Sequence, residues 1–133
     1  MTLPAYGRAW RGTALASLFV LAACPARAQS FDGEWTASFT SGAGNPREVD
    51  VRIAGRAGTW ALRPRPNKDK KDPCVGRPFP LVLSEGAGGT VLRVEASAVV
   101  SGCDDRTVTL QAVDARTLSG QFSNGTAVMF VRR

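Results

Sequence analysis

Very few side chains of this 133-residue chain could serve as a general base or activate a nucleophile. Histidine is absent, which removes the commonest catalytic base and the commonest zinc ligand. The three lysines, Lys68, Lys70 and Lys71, crowd into one charged segment, where burial deep enough to lower a lysine pKa is not expected. No glycine-rich phosphate loop opens a helix either. We therefore predict a protein without catalytic residues or cofactor, and not an enzyme.

Asp104 and Asp105 are the one obvious pair of carboxylates, and paired carboxylates can share acid and base catalysis. They are neighbours in a turn-like segment beside Cys103, where such side chains more often cap a turn or stay solvated. The Asp-x-Asp-x-Asp-Gly spacing of a calcium loop is missing, so we predict no metal site. An enzyme that uses this carboxylate pair alone ranks third among the functional hypotheses.

The first 28 residues have the three-part layout of a secretory signal peptide. Arg8 and Arg11 form a basic start, and an apolar stretch follows at 13–23. A helix needs about 20 apolar residues to cross a bilayer, so this stretch predicts no transmembrane span. Residues 26–28 (Ala-Arg-Ala) then fit a cleavage site. We predict a periplasmic or secreted protein whose mature part is a single domain at 29–133.

A second processing pattern overlaps the first. Residues 21–24 (Leu-Ala-Ala-Cys) resemble a bacterial lipobox, which would make Cys24 a lipid-bearing first residue. Lipidation would give the protein an anchor in the outer membrane. Pro25 is an unusual neighbour for such a cysteine. Soluble export is therefore favoured, and an outer-membrane lipoprotein is the alternative.

Removal of the leader changes the charge of the protein. The chain has 17 basic and 11 acidic residues, and Arg8, Arg11 and Arg27 lie within the leader. The mature part keeps 14 basic residues against 11 acidic ones, so its net charge falls from +6 to +3. Because half of the net positive charge belongs to the leader, we predict no nucleic-acid partner.

Cys74 and Cys103 remain in the mature part, each in a turn-like segment. An even number of cysteines in an oxidising compartment predicts a disulfide bond. This bond would close a loop of about 30 residues and stabilise the fold by roughly 3–4 kcal/mol. The chain has no C-x-x-C motif and no histidine, so a redox pair or a metal site is the weaker interpretation.

Apolar and polar residues alternate through 29–133, with no stripe of the helical period. Residues 48–53 (Glu-Val-Asp-Val-Arg-Ile) give the clearest strand. Segments rich in glycine separate the strands, and Asn124-Gly125 predicts a type I′ hairpin turn. We predict an all-β domain, a small antiparallel meander of seven or eight strands. A closed barrel is favoured because closure removes exposed edges, and a β-sandwich is the alternative.

One segment interrupts the alternation. Residues 63–73 carry five basic residues, two acidic residues and three prolines. Proline lacks the ladder donor, so we expect an exposed, polyproline-like loop in place of a central strand. A solvated loop is the simplest interpretation. The more specific one is a contact surface for an anionic partner, such as lipid headgroups, lipopolysaccharide or an acidic protein face. Its residues would be Arg63, Arg65, Lys68, Lys70 and Lys71.

Trp35 and Trp60 both occupy inward positions of their predicted strands. Large aromatic side chains fill the ends of small barrels, so core packing is the favoured role for both. An apolar cavity beside the two tryptophans is the alternative. A barrel of about 100 residues in eight short strands leaves little room for one.

Residues 31–35 (Phe-Asp-Gly-Glu-Trp) directly follow the leader. This opening resembles that of small exported proteobacterial proteins of unassigned function. A glycine two residues before a tryptophan also resembles the start of lipocalin-like and avidin-like barrels. Segments 72–74, 102–103 and 117–120 fit the same family of periplasmic proteins. The resemblance implies a small exported barrel, and it assigns no ligand-binding residue.

Together these observations predict an exported, non-enzymatic β-barrel module that binds an envelope component or another protein. The cationic segment 63–73 is its candidate contact surface. A small-molecule carrier of lipocalin type is the alternative, with its ligand beside Trp35 and Trp60.

Overall fold

The computed structural model describes residues 2–5, 7, 12 and 30–133. Most of the predicted leader, including Cys24 and the cleavage site at 26–28, lies outside the described residues. No helix in the described part is long and apolar enough to span a membrane. Residues 30–133 form eight strands and no helix. The strands are β1 (Gly33–Thr40), β2 (Pro46–Ala54), β3 (Ala57–Leu62), β4 (Phe79–Gly86), β5 (Gly89–Val94), β6 (Arg106–Asp114), β7 (Thr117–Phe122) and β8 (Ala127–Arg132).

The eight strands form a closed antiparallel barrel in chain order. Each strand pairs with the next one, and β1 pairs with β8 to close the sheet. At this closure Trp35 lies opposite Arg132, and Phe39 lies opposite Val128. The predicted all-β barrel is confirmed, and the alternative sandwich does not form.

The alternation of side chains fills the barrel interior. In β2, Val49, Val51 and Ile53 are each at most 2% exposed, whereas the residues between them lie on the outer wall. Trp35 and Trp60 are 1% and 4% exposed, so both belong to the core. The largest fully buried side chains are those of Trp35, Phe130, Leu81, Leu92, Leu110, Leu118, Val49, Val94 and Val108.

The two ends of the barrel differ in their connections. One end, called the terminal end, holds the start of β1, the end of β8 and the short turns at 55–56, 87–88 and 115–116. The opposite end, called the long-loop end, carries the connections at 41–45, 63–78, 95–105 and 123–126. The two longest connections, 63–78 and 95–105, therefore lie at the same end.

The β7–β8 hairpin differs from the predicted turn. Four residues, 123–126, connect the strands, and Gly125 has a φ of 92°. Asn124 has no positive φ, whereas a type I′ turn needs positive φ at both central residues. The prediction of that turn type is therefore wrong. The turn is held instead by the Gly125 N–H, which donates to the Phe122 carbonyl at 2.9 Å, and by Asn124 Oδ1, which accepts from the Thr126 N–H at 3.0 Å.

Candidate functional site at the long-loop end

The two longest loops are tied to each other by Cys74 and Cys103. Their sulfur atoms lie 2.04 Å apart, at disulfide distance, which confirms the predicted pair. Cys103 is 4% exposed and packs on the core, and Cys74 is half-buried. The disulfide therefore connects the loop at 63–78 to the loop at 95–105.

Residues 66–68, 70–71 and 73–74 form turns, so the expected polyproline-like conformation does not extend through the segment 63–73. Asp69, in the middle of the loop, is 7% exposed. Its carboxylate accepts hydrogen bonds from the Arg65 backbone N–H at 2.8 Å and from Arg65 Nη2 at 2.9 Å. Arg47 Nη2 reaches the same carboxylate at 3.3 Å. These bonds, above all those from the Arg65 side chain, hold the pKa of Asp69 well below its usual range.

A second arginine of the loop is also paired within the protein. Arg63 forms ion pairs with Glu48 and with Asp50, the latter at 2.7 Å. Arg63 and Arg65 are thus engaged by internal carboxylates. By contrast, Lys68, Lys70 and Lys71 are exposed, and none of them forms an ion pair with another described residue. The five predicted contact residues therefore separate into two internal arginines and three free lysines.

Below the loops lies a cleft of ≈ 250 Å³, which we call the mouth cleft. Its apolar lining includes Trp60, Phe79, Val94, Ala96 and the disulfide. Its charged lining consists of Arg47, Asp72, Asp104 and Arg106.

Arg47 and Arg106 share the inward positions of their strands with the core residues Val49 and Val108. The guanidinium carbon of Arg106 lies 5.8 Å from the centre of the Phe122 ring, and Arg106 forms no ion pair within 30–133. The Nε atom of Arg47 is buried without a hydrogen-bond partner. Both guanidinium groups therefore keep unused hydrogen-bonding capacity at the mouth of the barrel.

The carboxylate pair Asp104 and Asp105 does not act as a unit. Asp105 accepts hydrogen bonds from the backbone N–H of Ser97 at 2.9 Å and from its hydroxyl at 3.0 Å. The backbone bond contributes most to a lowered pKa of Asp105, which is the opposite of what a general acid needs. Asp104 is exposed and lines the mouth cleft. Asp105 thus organises the loop at 95–105, while Asp104 stays open to solvent.

Trp35 lines a cleft at the terminal end and does not line the mouth cleft. Its Nε1 donates to the Phe31 carbonyl at 2.8 Å. The guanidinium carbon of Arg132 lies 4.2 Å from the centre of the Trp35 ring. Arg132 also donates to the carbonyls of Asp32 and Ala115, the latter at 3.1 Å. A separate cleft of ≈ 450 Å³ borders Trp35, so the two tryptophans do not share one cavity.

Sequence reasoning missed Arg47, Arg106 and Arg132 as candidate site residues. All three continue the inward alternation of the observed strands, at strand ends. An arginine on an inward position is an unusual feature, because charged side chains are almost never fully buried unless they are paired. This break in the alternation was the signal in the sequence that could have identified them.

Within the described residues, no three Cys, Asp or Glu side chains form a group that could hold a metal ion. Comparison of the chain with protein-family models, curated proteins and solved structures finds no match. The resemblance carried by residues 31–35 therefore stays a prediction.

Proposed function

We propose that the chain is an exported, non-enzymatic binding module that docks on an acidic surface of another protein. The contact surface is the lysine platform, which consists of Lys68, Lys70 and Lys71. The observation that carries the proposal is the exposure of these three unpaired lysines on a loop that Asp69 holds against the barrel. The neighbouring Arg63 and Arg65 support the loop and do not contact the partner.

The fixed backbone favours binding in two ways. Asp69 lies between Lys68 and Lys70, where it anchors the loop to the barrel through Arg47 of β2 and braces the loop internally through Arg65. The disulfide at Cys74 holds the end of the same segment. A loop that is already ordered loses less conformational entropy on binding. A concentrated positive charge also accelerates encounter with an acidic partner.

Export rests on the leader predicted for residues 1–28, and the disulfide agrees with an oxidising compartment. The periplasm or the exterior is the proposed location, with an outer-membrane lipoprotein anchored through Cys24 as the alternative. The mass of the intact secreted product tests export, the lipid anchor and the disulfide. It gives the cleavage site, detects an acyl chain and detects the loss of two hydrogens in the disulfide. A product that keeps residues 1–28 would contradict export.

The position of the N-terminal segment favours a protein partner over a membrane. Residue 30 enters the barrel at the terminal end, and the lysine platform lies at the opposite end. An anchor on Cys24 would attach near the terminal end and direct the lysines away from the anchoring membrane. The lipid headgroups of that membrane are therefore the weaker candidate for the anionic partner.

A small-molecule carrier is the alternative function. The observation in its favour is the cleft of ≈ 450 Å³ at the terminal end, beside Trp35 and Leu118. Ligand pockets typically span about 300–1,000 Å³, so a small apolar molecule would fit there. The barrel interior is filled with side chains, so this ligand would lie at the end of the barrel and not inside it.

The lysine platform is tested with the secreted product and poly-L-glutamate as an acidic probe, by titration calorimetry at low and at physiological salt. We expect binding that weakens as salt rises, because exposed charges are screened. The variant K68E/K70E/K71E should lose it. The matched control R56E/R93E/R116E makes the same charge change at three exposed arginines outside the platform. It should keep most of the binding.

Two outcomes would contradict the proposal. Equal losses in the lysine variant and the arginine control would indicate an effect of net charge alone. Binding to vesicles with anionic phospholipid in the absence of binding to poly-L-glutamate would identify a membrane as the partner.

A further inference from the structure

We infer that the mouth cleft binds a small organic carboxylate with an apolar body. This site differs from the lysine platform, because none of Lys68, Lys70 and Lys71 lines the cleft. Either proposal can therefore fail without the other.

The three inward arginines at the strand ends provide the first argument. Arg132 is engaged by the Trp35 ring and by two backbone carbonyls. Arg47 is paired with Asp69 but keeps a buried Nε without a partner. The Arg106 guanidinium contacts the Phe122 ring and forms no ion pair or side-chain hydrogen bond within residues 30–133. Water solvates this exposed group, and a carboxylate would replace the water with charge-assisted, bidentate hydrogen bonds.

The apolar lining provides the second argument. Trp60 and Phe79 are 4% and 3% exposed in the free protein, and Val94, Ala96 and the disulfide continue the same surface. The volume of ≈ 250 Å³ equals that of about eight water molecules in the liquid, at about 30 Å³ each. A phenyl group or a short branched chain fills such a space. Ligand sites commonly combine an apolar lining with a few polar groups that fix orientation.

The charges around the cleft determine whether a cation or an anion is favoured as the ligand. The two long loops at 63–78 and 95–105 together have six basic and five acidic residues, and Arg47 and Arg106 of the cleft lining bring the balance to three positive charges, so the potential at this end favours an anion. Asp72 already accepts a hydrogen bond from the Cys74 N–H at 2.9 Å. Asp104 forms no hydrogen bond or ion pair within 30–133 and should repel a carboxylate. Removal of its charge should then strengthen binding, which a purely structural role of Asp104 would not produce.

The experiment uses phenylacetate as the probe and the indole N–H signals of the ¹⁵N-labelled secreted product as the readout. Trp60 lines the mouth cleft, whereas Trp35 lies at the terminal end and serves as an internal control. We expect the Trp60 signal to shift on titration and the Trp35 signal to stay in place. Phenylacetamide has the same shape without the charge and should bind about tenfold more weakly.

Three variants test the roles of the charged groups. Arg106→Gln should weaken phenylacetate binding about tenfold, and Asp104→Asn should strengthen it several-fold. Arg116→Gln removes an exposed arginine at the terminal end and should leave the affinity unchanged. The variant K68E/K70E/K71E should still shift the Trp60 signal on titration, because the lysines lie outside the cleft lining.

The source of the carboxylate is distinguished by a short peptide that ends in phenylalanine, with either a free or an amidated C-terminus. Tighter binding of the free-acid peptide than of phenylacetate would identify the chain end of a partner protein. Tighter binding of phenylacetate would identify a free small molecule. The inference is overturned if Trp60 shows no shift at about 10 mM phenylacetate, since even a millimolar affinity would be detected there. Equal binding of the acid and the amide would also overturn it.

Discussion

The two ends of the barrel are closed by different chemistry. At the terminal end, Arg132 stacks on Trp35 and donates to the Asp32 carbonyl, so residues about one hundred positions apart are joined by non-covalent contacts. Phe31 covers this end and is 7% exposed. At the long-loop end, the disulfide and the buried Asp69 hold the loops.

Because of this difference, the charged side chains at the two ends are used to a different extent inside the protein. The terminal end uses the donors of its inward arginine within the protein. At the long-loop end, neither Arg106 nor any of the three lysines forms an ion pair within residues 30–133, and the loop that carries the lysines is nevertheless fixed. Binding residues often lie on loops that a rigid scaffold positions, and the long-loop end has this arrangement.

Removal of the disulfide is the largest expected perturbation of the long-loop end. The variant C74S/C103S releases a cross-link between residues 29 positions apart. A bridge of that span stabilises a protein by about 3–4 kcal/mol in the chain-entropy model, so urea unfolding should show a loss of that size. The amide signals of 63–78 and 95–105 should broaden or shift, while those of the terminal end should stay in place. A uniform change at both ends would contradict this difference between them.

The fold was predictable because the strands of a closed barrel keep the same two-residue alternation of apolar and polar side chains throughout. Residues 48–53 alternate strictly, and the structure buries Val49, Val51 and Ile53 as that pattern requires. The cysteine pair followed from the even count of cysteines in 29–133, after the predicted leader. The turn type at Asn124-Gly125 was wrong because the number of connecting residues, four, depends on where the strands stop pairing.

The candidate site was less predictable than the fold. Counting charges in 63–73 identified the lysines, but it treated Arg63 and Arg65 as equally free. Their partners Asp50 and Asp69 lie 13 and four positions away, and only the folded loop brings them together. The mouth cleft requires strands β2, β3, β4, β5 and β6 to meet at one end, which no local pattern encodes.

Arg132→Met should be the second largest perturbation, and it acts on the terminal end. Methionine keeps much of the apolar packing but removes the cation over Trp35 and the bonds to two carbonyls. We expect a loss of about 1–2 kcal/mol in the free energy of unfolding, measured by urea titration.

The control for Arg132→Met is Arg116→Met. This residue is exposed at the same end, and its side chain forms no hydrogen bond or ion pair within 30–133, so the variant should change stability little. Poly-L-glutamate binding should be unchanged in both variants. A loss of that binding in Arg132→Met would show that the two ends are coupled.

The smallest expected effect is the local acid response of the loop at 63–78. The pKa of Asp69 is lowered in the folded protein, so its contribution to stability is fully present above its unfolded pKa of about 3.9. That contribution is lost as the pH falls toward the lower folded pKa. The Arg65 N–H donates directly to Asp69, so its amide signal reports the change.

We expect the Arg65 amide signal to stay constant from neutral pH to about pH 4 and to move only in more acid solution. In Asp69→Asn, the acid-induced shift should be absent, and the loop should be less ordered already at neutral pH, because Arg47 and Arg65 lose their shared carboxylate. The matched variant Asp104→Asn removes an exposed carboxylate without internal bonds and should keep the wild-type profile. A midpoint near pH 4 or higher in the wild type would mean that Asp69 is not held by the two arginines. The loop would then owe its order to the disulfide and to the ion pairs of Arg63, and C74S/C103S should disorder it from Arg65 onward.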